Sequence, residues 1–416
     1  MMINGTVASG FESVRALYEK NMHALVERNT QLCVYVDGQC VVDLWASAIG
    51  DEDFGPDSLI NVFSSGKSLE AITMAMLADK GLIDYDAKIS DYWPEYAQNG
   101  KDQTIADLMR HEAGLAALDT TIDPNDLHPD RLKENAVGEI IARQTARFRE
   151  GENEQREYHA VTRGWIANEV FRRVEPKGRT MGEFLREEIS EPLGTDVYIG
   201  LKDEELERVN PVKMLGFGYQ FGQGLIPNFA GRKMESNVFQ TAAKLWSLRD
   251  AMSKRTHKRP PVPIAGMEKM SVVNEAAMSK GETPSAGAKC SARGLAKLAA
   301  VMANGGSLDN YQIMSPEAHE ALHDKPIDRP MLALDTGFTQ GGLALFSKRD
   351  ASAPPFSRGL NNGREGFYGW MGLGGSIFQW HPEKNIGFAY APTSLNFLDL
   401  ANERGKAYQS EVLRCV

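Results

Sequence analysis

The feature that most constrains the fold is a mirror arrangement of the chain ends: helix then hairpin at the front, hairpin then helix at the back. Phe11, Val14, Leu17, Tyr18, Met22 and Leu25 recur at three- and four-residue spacing, which predicts an amphipathic helix. Two β-rich runs follow, residues 32–36 and 40–45, joined by Asp37-Gly38, a dipeptide suited to a two-residue hairpin turn. Near the other end, residues 375–380 and 386–390 read as strands around a Pro382-Glu383 turn, and a last helix is expected over about 396–414. Together these ends predict one antiparallel sheet built from both termini and flanked by helices. From about residue 85 to 285 the pattern is mostly helical with long polar connections. This is α+β organisation, not regular strand–helix alternation. The expected layout is a discontinuous sheet lobe, residues 1–85 and 286–416, and a mostly helical lobe, residues 86–285, with the active site between them.

At 416 residues and about 150 per domain, two or three domains or lobes fit. A composition 42% hydrophobic and 25% charged excludes disorder and a disulfide-stapled miniature. The net charge of −10 opposes a nucleic-acid duplex or an anionic membrane as the default partner. Four cysteines are too few for a disulfide framework. The hairpin register places Tyr35 opposite Cys40 and Cys33 opposite Val42, so reduced thiols in a reducing compartment are expected. The first residues lack a basic and an apolar region, so no secretory signal is expected and the cytoplasm is the default location. The longest uncharged stretch, residues 214–231, is broken by Gly, Gln and Pro and does not read as a membrane span. Two charge-dense segments, Arg149-Glu150-Gly151-Glu152-Asn153-Glu154 and the basic, proline-rich residues 254–263, are expected as solvated loops.

Three segments carry candidate chemistry. Ser64-Ser65-Gly66-Lys67 opens a helix expected from Leu69, Ile72, Met76 and Leu77, with Gly81 as its stop. Residues three apart share a helix face, so the Ser64 hydroxyl and the Lys67 amine can meet. A serine hydroxyl needs a base to become a nucleophile, and burial makes lysine one by disfavouring its charged form. The plain alternative is a helix-capping serine beside a solvated lysine. In Glu157-Tyr158-His159-Ala160, Tyr158 precedes a helix marked by Ile166, Val170 and Val174, where its phenol could shuttle a proton. Tyr368-Gly369-Trp370-Met371-Gly372-Leu373-Gly374-Gly375-Ser376 is rich in glycine ahead of a strand, and its N–H groups could face an oxyanion. A packing tyrosine and a tight turn beside a core tryptophan are the corresponding structural alternatives.

In this order the three segments resemble the β-lactamase-related serine hydrolases: class C β-lactamases, D-amino-acid carboxypeptidases and family VIII carboxylesterases. Residues 104–115 and 291–306 look like the same family, so the similarity runs nearly the whole length. The resemblance implies the serine β-lactamase and penicillin-binding-protein type of α+β fold. It makes Ser64 the nucleophile, Lys67 its activating partner and Tyr158 the first position of a Tyr-x-Asn or Tyr-x-Ser element. The backbone N–H groups of Ser64 and Leu373 would form the oxyanion hole. Lys67 and Tyr158 are assigned jointly as the acid–base pair, with the choice of base left open.

Two departures bear on substrate. Ala160 stands where many β-lactamases carry an amide, and Trp370-Met371-Gly372 replaces Lys-Thr-Gly or His-x-Gly. Losing that cation removes a charge-assisted contact worth about 1.5–3 kcal/mol, so an uncharged ester is favoured over a substrate carboxylate. Trp370, Gly372 and His159 are the candidate substrate-binding residues, although His159 can equally cap or pack. The substrate is expected to be a small-molecule ester or amide, with no cofactor, no nucleic acid and no membrane span. β-Lactamase or D-amino-acid peptidase activity at the same site is the alternative, followed by a non-catalytic scaffold. His319-Glu320-Ala321-Leu322-His323 fits the HExxH zinc pattern, but Pro326 follows closely and no third histidine is suitably spaced. A zinc peptidase is therefore the least favoured reading. His381 is expected to be exposed and His111 to make a structural hydrogen bond.

Overall fold

Along the strand Gln39–Ser47 the buried residues are Val42, Leu44 and Ala46, the period of two expected of a strand with one covered face. The strand Ile386–Pro392 is buried at every position, as a central strand covered on both faces must be. The computed structural model describes all residues except 1, 2, 99, 101, 149–155, 332, 333 and 400, so the expected loop over residues 149–154 lies outside the described residues.

Among the described residues the main sheet has nine strands: β1 (Ile3–Val7), β2 (Asn29–Val36), β3 (Gln39–Ser47), β4 (Ile327–Met331), β5 (Leu334–Phe338), β6 (Ala344–Leu345), β7 (Tyr368–Met371), β8 (Ile377–His381) and β9 (Ile386–Pro392). Their spatial order is β1-β3-β2-β9-β8-β7-β6-β5-β4, antiparallel throughout. The β2–β9 ladder, from Val36 opposite Ile386 to Thr30 opposite Pro392, joins the front of the chain to its back.

The helices that accompany the sheet include α1 (Glu12–Ala24), α2 (Gly66–Asp79), α3 (Thr162–Val174), α4 (Phe217–Leu225), α5 (Val238–Ser253), α6 (Ala292–Ala303), α7 (Pro316–His323) and α8 (Glu403–Cys415). On one face of the sheet, α1 and α8 bury Val14, Tyr18, Tyr408 and Val412 against Leu32, Val34 and Tyr390. On the other face, α6 and the helical region form a second core that includes Leu69, Trp165, Leu298, Trp380 and Ala389. The α+β sheet with flanking helices is thus as expected from the sequence.

Three local expectations change. The last helix begins at Glu403, because Asn402 ahead of it is left-handed (φ 49°) and Leu398 is buried before it. A bulge between Val34 and Tyr35 places Cys33 opposite Asp43, not Val42, and brings the unpaired Cys33 and Cys40 thiols to 3.9 Å, with Cys40 exposed. His381 is buried beside Phe367. No helix among the described residues is long and apolar enough to cross a membrane.

Candidate active site

Ser64 sits in a 3-10 turn, Phe63–Ser65, directly ahead of α2. The preceding Phe63 is held at φ 47°, a left-handed conformation that costs a non-glycine residue of order 1–3 kcal/mol and that a buried setting enforces. At Gly66 a Cβ would lie 2.5 Å from the Pro284 carbonyl oxygen, so a glycine is needed for residues 283–287 to cross the start of α2. That crossing delivers the Ser285 carbonyl to the lysine one turn further on.

Lys67 is 1% exposed, and its Nζ lies 3.4 Å from Ser64 Oγ, 2.7 Å from the Ala160 carbonyl and 3.0 Å from the Ser285 carbonyl. Burial, reinforced by the nearby Arg163 guanidinium and opposed by Glu70, holds the amine well below the ordinary lysine range. A neutral amine has two N–H groups and one lone pair. Carbonyls only accept, so Ala160 and Ser285 take the two N–H groups and the lone pair is left for the Ser64 hydroxyl.

Tyr158 comes from the loop before α3. His111, itself at φ 67°, clamps that loop from both sides: its carbonyl accepts from Glu157 N–H (3.0 Å) and its Nδ1 from His159 N–H (3.1 Å). Arg156, fully buried and paired with Glu112, ties the same loop to the sheet through the Thr336 carbonyl. The phenol hydroxyl donates to Ser64 Oγ at 2.7 Å and accepts from the Trp370 indole N–H at 3.2 Å. Burial raises the Tyr158 pKa, and the hydrogen bonds with Ser64 and Trp370 only partly offset this, so the phenol remains protonated.

Strand β7 is fastened to α2 where it passes Ser64. The Trp370 N–H donates to Ser68 Oγ (2.9 Å), and Ser376 Oγ donates to the Val62 carbonyl (2.6 Å). The following turn is closed by Gly372 N–H to the Ser376 carbonyl (2.8 Å) and held by Asn402, whose amide donates to the Gly372 and Ser376 carbonyls. Among the described residues, neither Ser64 N–H nor Leu373 N–H is taken by a protein acceptor.

Two expected substrate contacts take other roles. His159 is fully buried, with Nδ1 on the Glu157 carbonyl and Nε2 accepting from Leu115 N–H, so both ring nitrogens are spent on the backbone. Trp370 is 6% exposed and packs on Phe338 and Phe346, with its one polar atom committed to Tyr158. Gly372 gives close passage, since a Cβ there would lie 2.2 Å from the Val62 carbonyl oxygen.

The HExxH helix is α7, and its histidines are not arranged as a ligand pair. His323 Nδ1 faces the His319 carbonyl and Nε2 accepts from the Trp380 indole, while His319 Nε2 faces the Met302 carbonyl. The basic strap of residues 254–263 is not a free loop either. Thr256 donates to Glu157, His257 pairs with Asp119, and Thr121 donates to the Val262 carbonyl. So fastened, it walls a cavity that Tyr158, Ala160, Val161, Arg255, His257 and Pro263 also line.

Sequence reasoning did not find the network beneath Lys67. Arg163 Nε donates to Glu70 (2.7 Å) with both side chains fully buried, and the same guanidinium donates to the Lys67 carbonyl (2.9 Å). Ser285 Oγ donates to Glu70 (2.6 Å) and accepts from Gly164 N–H (2.9 Å). The available signal was Glu70 itself, the one charge over residues 68–78 of a helix that buries Leu69 and Ile72 on either side of it.

With this geometry in place, the comparisons are informative. The family model described as Beta-lactamase matches residues 14–411. The chain is 31% identical over 377 residues to Esterase/beta-lactamase LipL of Mycobacterium tuberculosis, covering 86% of this chain and 75% of that one. A crystal structure of a family VIII carboxylesterase is similar with a TM-score of 0.75 and 26% identity, covering 100% of both chains. A penicillin-binding protein homolog from Caulobacter crescentus gives a TM-score of 0.72 and 29% identity over 99% of this chain and 100% of that one.

Proposed function

The chain belongs to the Beta-lactamase family, and on that premise we propose that it is a serine hydrolase that cleaves uncharged carboxylic esters through an acyl-enzyme on Ser64. One observation carries the reading: a directed hydrogen-bond chain through four side chains. The Trp370 indole can only donate, so it occupies the Tyr158 oxygen and turns the phenol proton onto Ser64 Oγ. With Lys67 neutral, Ser64 in turn is left to donate its own proton to the amine 3.4 Å away.

Lys67 is therefore assigned as the base and Tyr158 as the acid. Ser64 Oγ attacks the ester carbonyl carbon while its proton moves to Lys67 Nζ. The oxyanion is received by the N–H groups of Ser64 and Leu373. On collapse the leaving alkoxide takes the Tyr158 proton, and the Lys67 ammonium restores it. Water then attacks the acyl carbon with the proton flow reversed, and Ser64 leaves as a hydroxyl. The site sits between the proposed sheet lobe, which supplies Ser64, Lys67 and Trp370, and the helical lobe, which supplies Tyr158. The four unpaired cysteines suit a reducing, cytoplasmic setting.

The names of two similar proteins, a LipL esterase/beta-lactamase and a family VIII carboxylesterase, support ester hydrolysis. Turnover of a β-lactam or peptide carboxylate would have to draw its cation from Arg255 in the cavity wall, since Trp370 supplies none. The test is labelling by a fluorophosphonate mapped to Ser64, with short-chain aryl esters and a chromogenic cephalosporin assayed against wild type and Ser64→Ala. Labelling at Ser64 and faster ester turnover are expected. Labelling elsewhere, or ester turnover that survives Ser64→Ala, would overturn the assignment.

A further inference from the structure

Positive charge and exposed aromatic surface are concentrated in one stretch. Residues 213–259 hold nine Lys and Arg against two acidic residues, in a chain that totals 46 against 56. The same stretch contains α4, α5 and the connection between them, and it leaves Phe229 94%, Phe239 82% and Trp246 70% exposed. Phe217, Phe221 and Leu225 repeat along one side of α4, all exposed, and Phe239 and Trp246 lie two turns apart on α5. The inner side of α5 is already engaged: Thr241 and Lys244 are buried, and Lys244 pairs with Glu403 at 2.6 Å. The outer side is an unpartnered aromatic face, and Lys233, Arg249, Lys258 and Arg259 are exposed in the same stretch of chain.

Exposed apolar surface of this extent within one stretch marks an interaction site, and the charge of that stretch selects among partners. A second copy meeting it across a two-fold axis would set positive surface against positive surface. An anionic lipid surface complements it: aromatic side chains enter the headgroup boundary while Lys and Arg meet the lipid phosphates. The chain also runs from α5 straight into the strap whose Arg255, His257 and Pro263 wall the cavity at Tyr158. We propose that residues 213–259 dock this protein on an anionic lipid–water interface, with the mouth of the active-site cavity beside the lipid surface from which an apolar ester enters. The overall negative charge does not oppose this, because charges more than a Debye length from the surface are screened.

The entry route rests on the serine-hydrolase reading, whereas docking is measured without turnover, so the two fail separately. The full chain is sedimented with phosphatidylglycerol and with phosphatidylcholine vesicles, alongside Phe229→Ala/Trp246→Ala and Lys233→Glu/Arg249→Glu. None of these four residues touches the catalytic groups, so turnover of a short water-soluble ester should match wild type and report correct folding. Expected are binding to phosphatidylglycerol but not phosphatidylcholine, loss of binding at high salt, and at least about tenfold weaker binding by each double variant. No binding to phosphatidylglycerol vesicles overturns the proposal. So does a concentration-dependent dimer that Phe229→Ala/Trp246→Ala abolishes, which would assign the face to a second copy.

Discussion

Trp370 was legible as a lost cation but not as a hydrogen-bond donor to Tyr158, because spacing along a chain says nothing about which way an indole turns. That Ser64 and Lys67 meet was legible because three residues make about one helical turn, and that Tyr158 joins them was an expectation of the resemblance. The Trp370 placement separates two roles. If its indole N–H orients the phenol, Trp370→Phe should lower kcat by about tenfold, the worth of one hydrogen bond, with KM nearly unchanged for short and long esters alike. A raised KM with kcat intact would make Trp370 a substrate contact instead. The acid–base assignment fixes the sign of the pH dependence. Lys67 must be neutral to accept a proton, and burial and Arg163 lower its pKa, so the acid limb of kcat/KM should lie below the ordinary lysine range. Tyr158 must keep its proton, and burial raises its pKa, so the alkaline fall should lie above the ordinary tyrosine range. Tyr158→Phe should cost about 10²–10⁴ in kcat and remove the alkaline fall, read from a pH–rate profile on a short-chain ester.

At the scale of elements, the strands and terminal helices were readable from periodicity, whereas the connections were not. Residues 254–263 look like a solvated loop because they are basic and proline-rich, yet Thr256, His257 and Val262 find partners more than 90 residues away in the chain. Pairing at that separation leaves no local pattern. The turn after β7 is a clearer case, since its glycines announced a close approach without saying to what. A Cβ at position 372 would meet the Val62 carbonyl at 2.2 Å and Ser376 Oγ at 2.1 Å, and backbone cannot step aside as a flexible side chain can. Gly372→Ala should therefore displace the Leu373 N–H from Ser64, costing about 10²–10³ in kcat, the worth of one oxyanion donor. Fluorophosphonate labelling of Ser64 should slow in parallel, because it passes through a similar oxyanion. Normal labelling with lost ester turnover would place the defect elsewhere.

Over the whole molecule, the pairing of β2 with β9 makes the two chain ends one structural unit, and a buried ion cluster reinforces it. Arg404 on α8 donates to Glu27 just after α1 (2.8 and 2.9 Å) and to Asp399 (3.1 Å), with all three side chains at most 3% exposed. Its remaining nitrogen donates to the Gly374 carbonyl, one residue beyond the proposed oxyanion donor, and to the Ser394 carbonyl. Sequence reading missed the cluster because Glu27 and Arg404 are 377 residues apart and all three members look like ordinary surface charges. Arg404→Ala strands two buried carboxylates, so it should destabilise the fold by about 3–5 kcal/mol, measured as a lowered urea midpoint. The same variant releases the Gly374 carbonyl, so kcat should fall even where the protein remains folded. Glu27→Gln leaves Arg404 in place on Gly374 and should cost stability with little loss of kcat. If both variants lost only stability, the turn at residues 372–375 would be held by Asn402 and Ser376 alone, and the link from the chain ends to the active site would be broken.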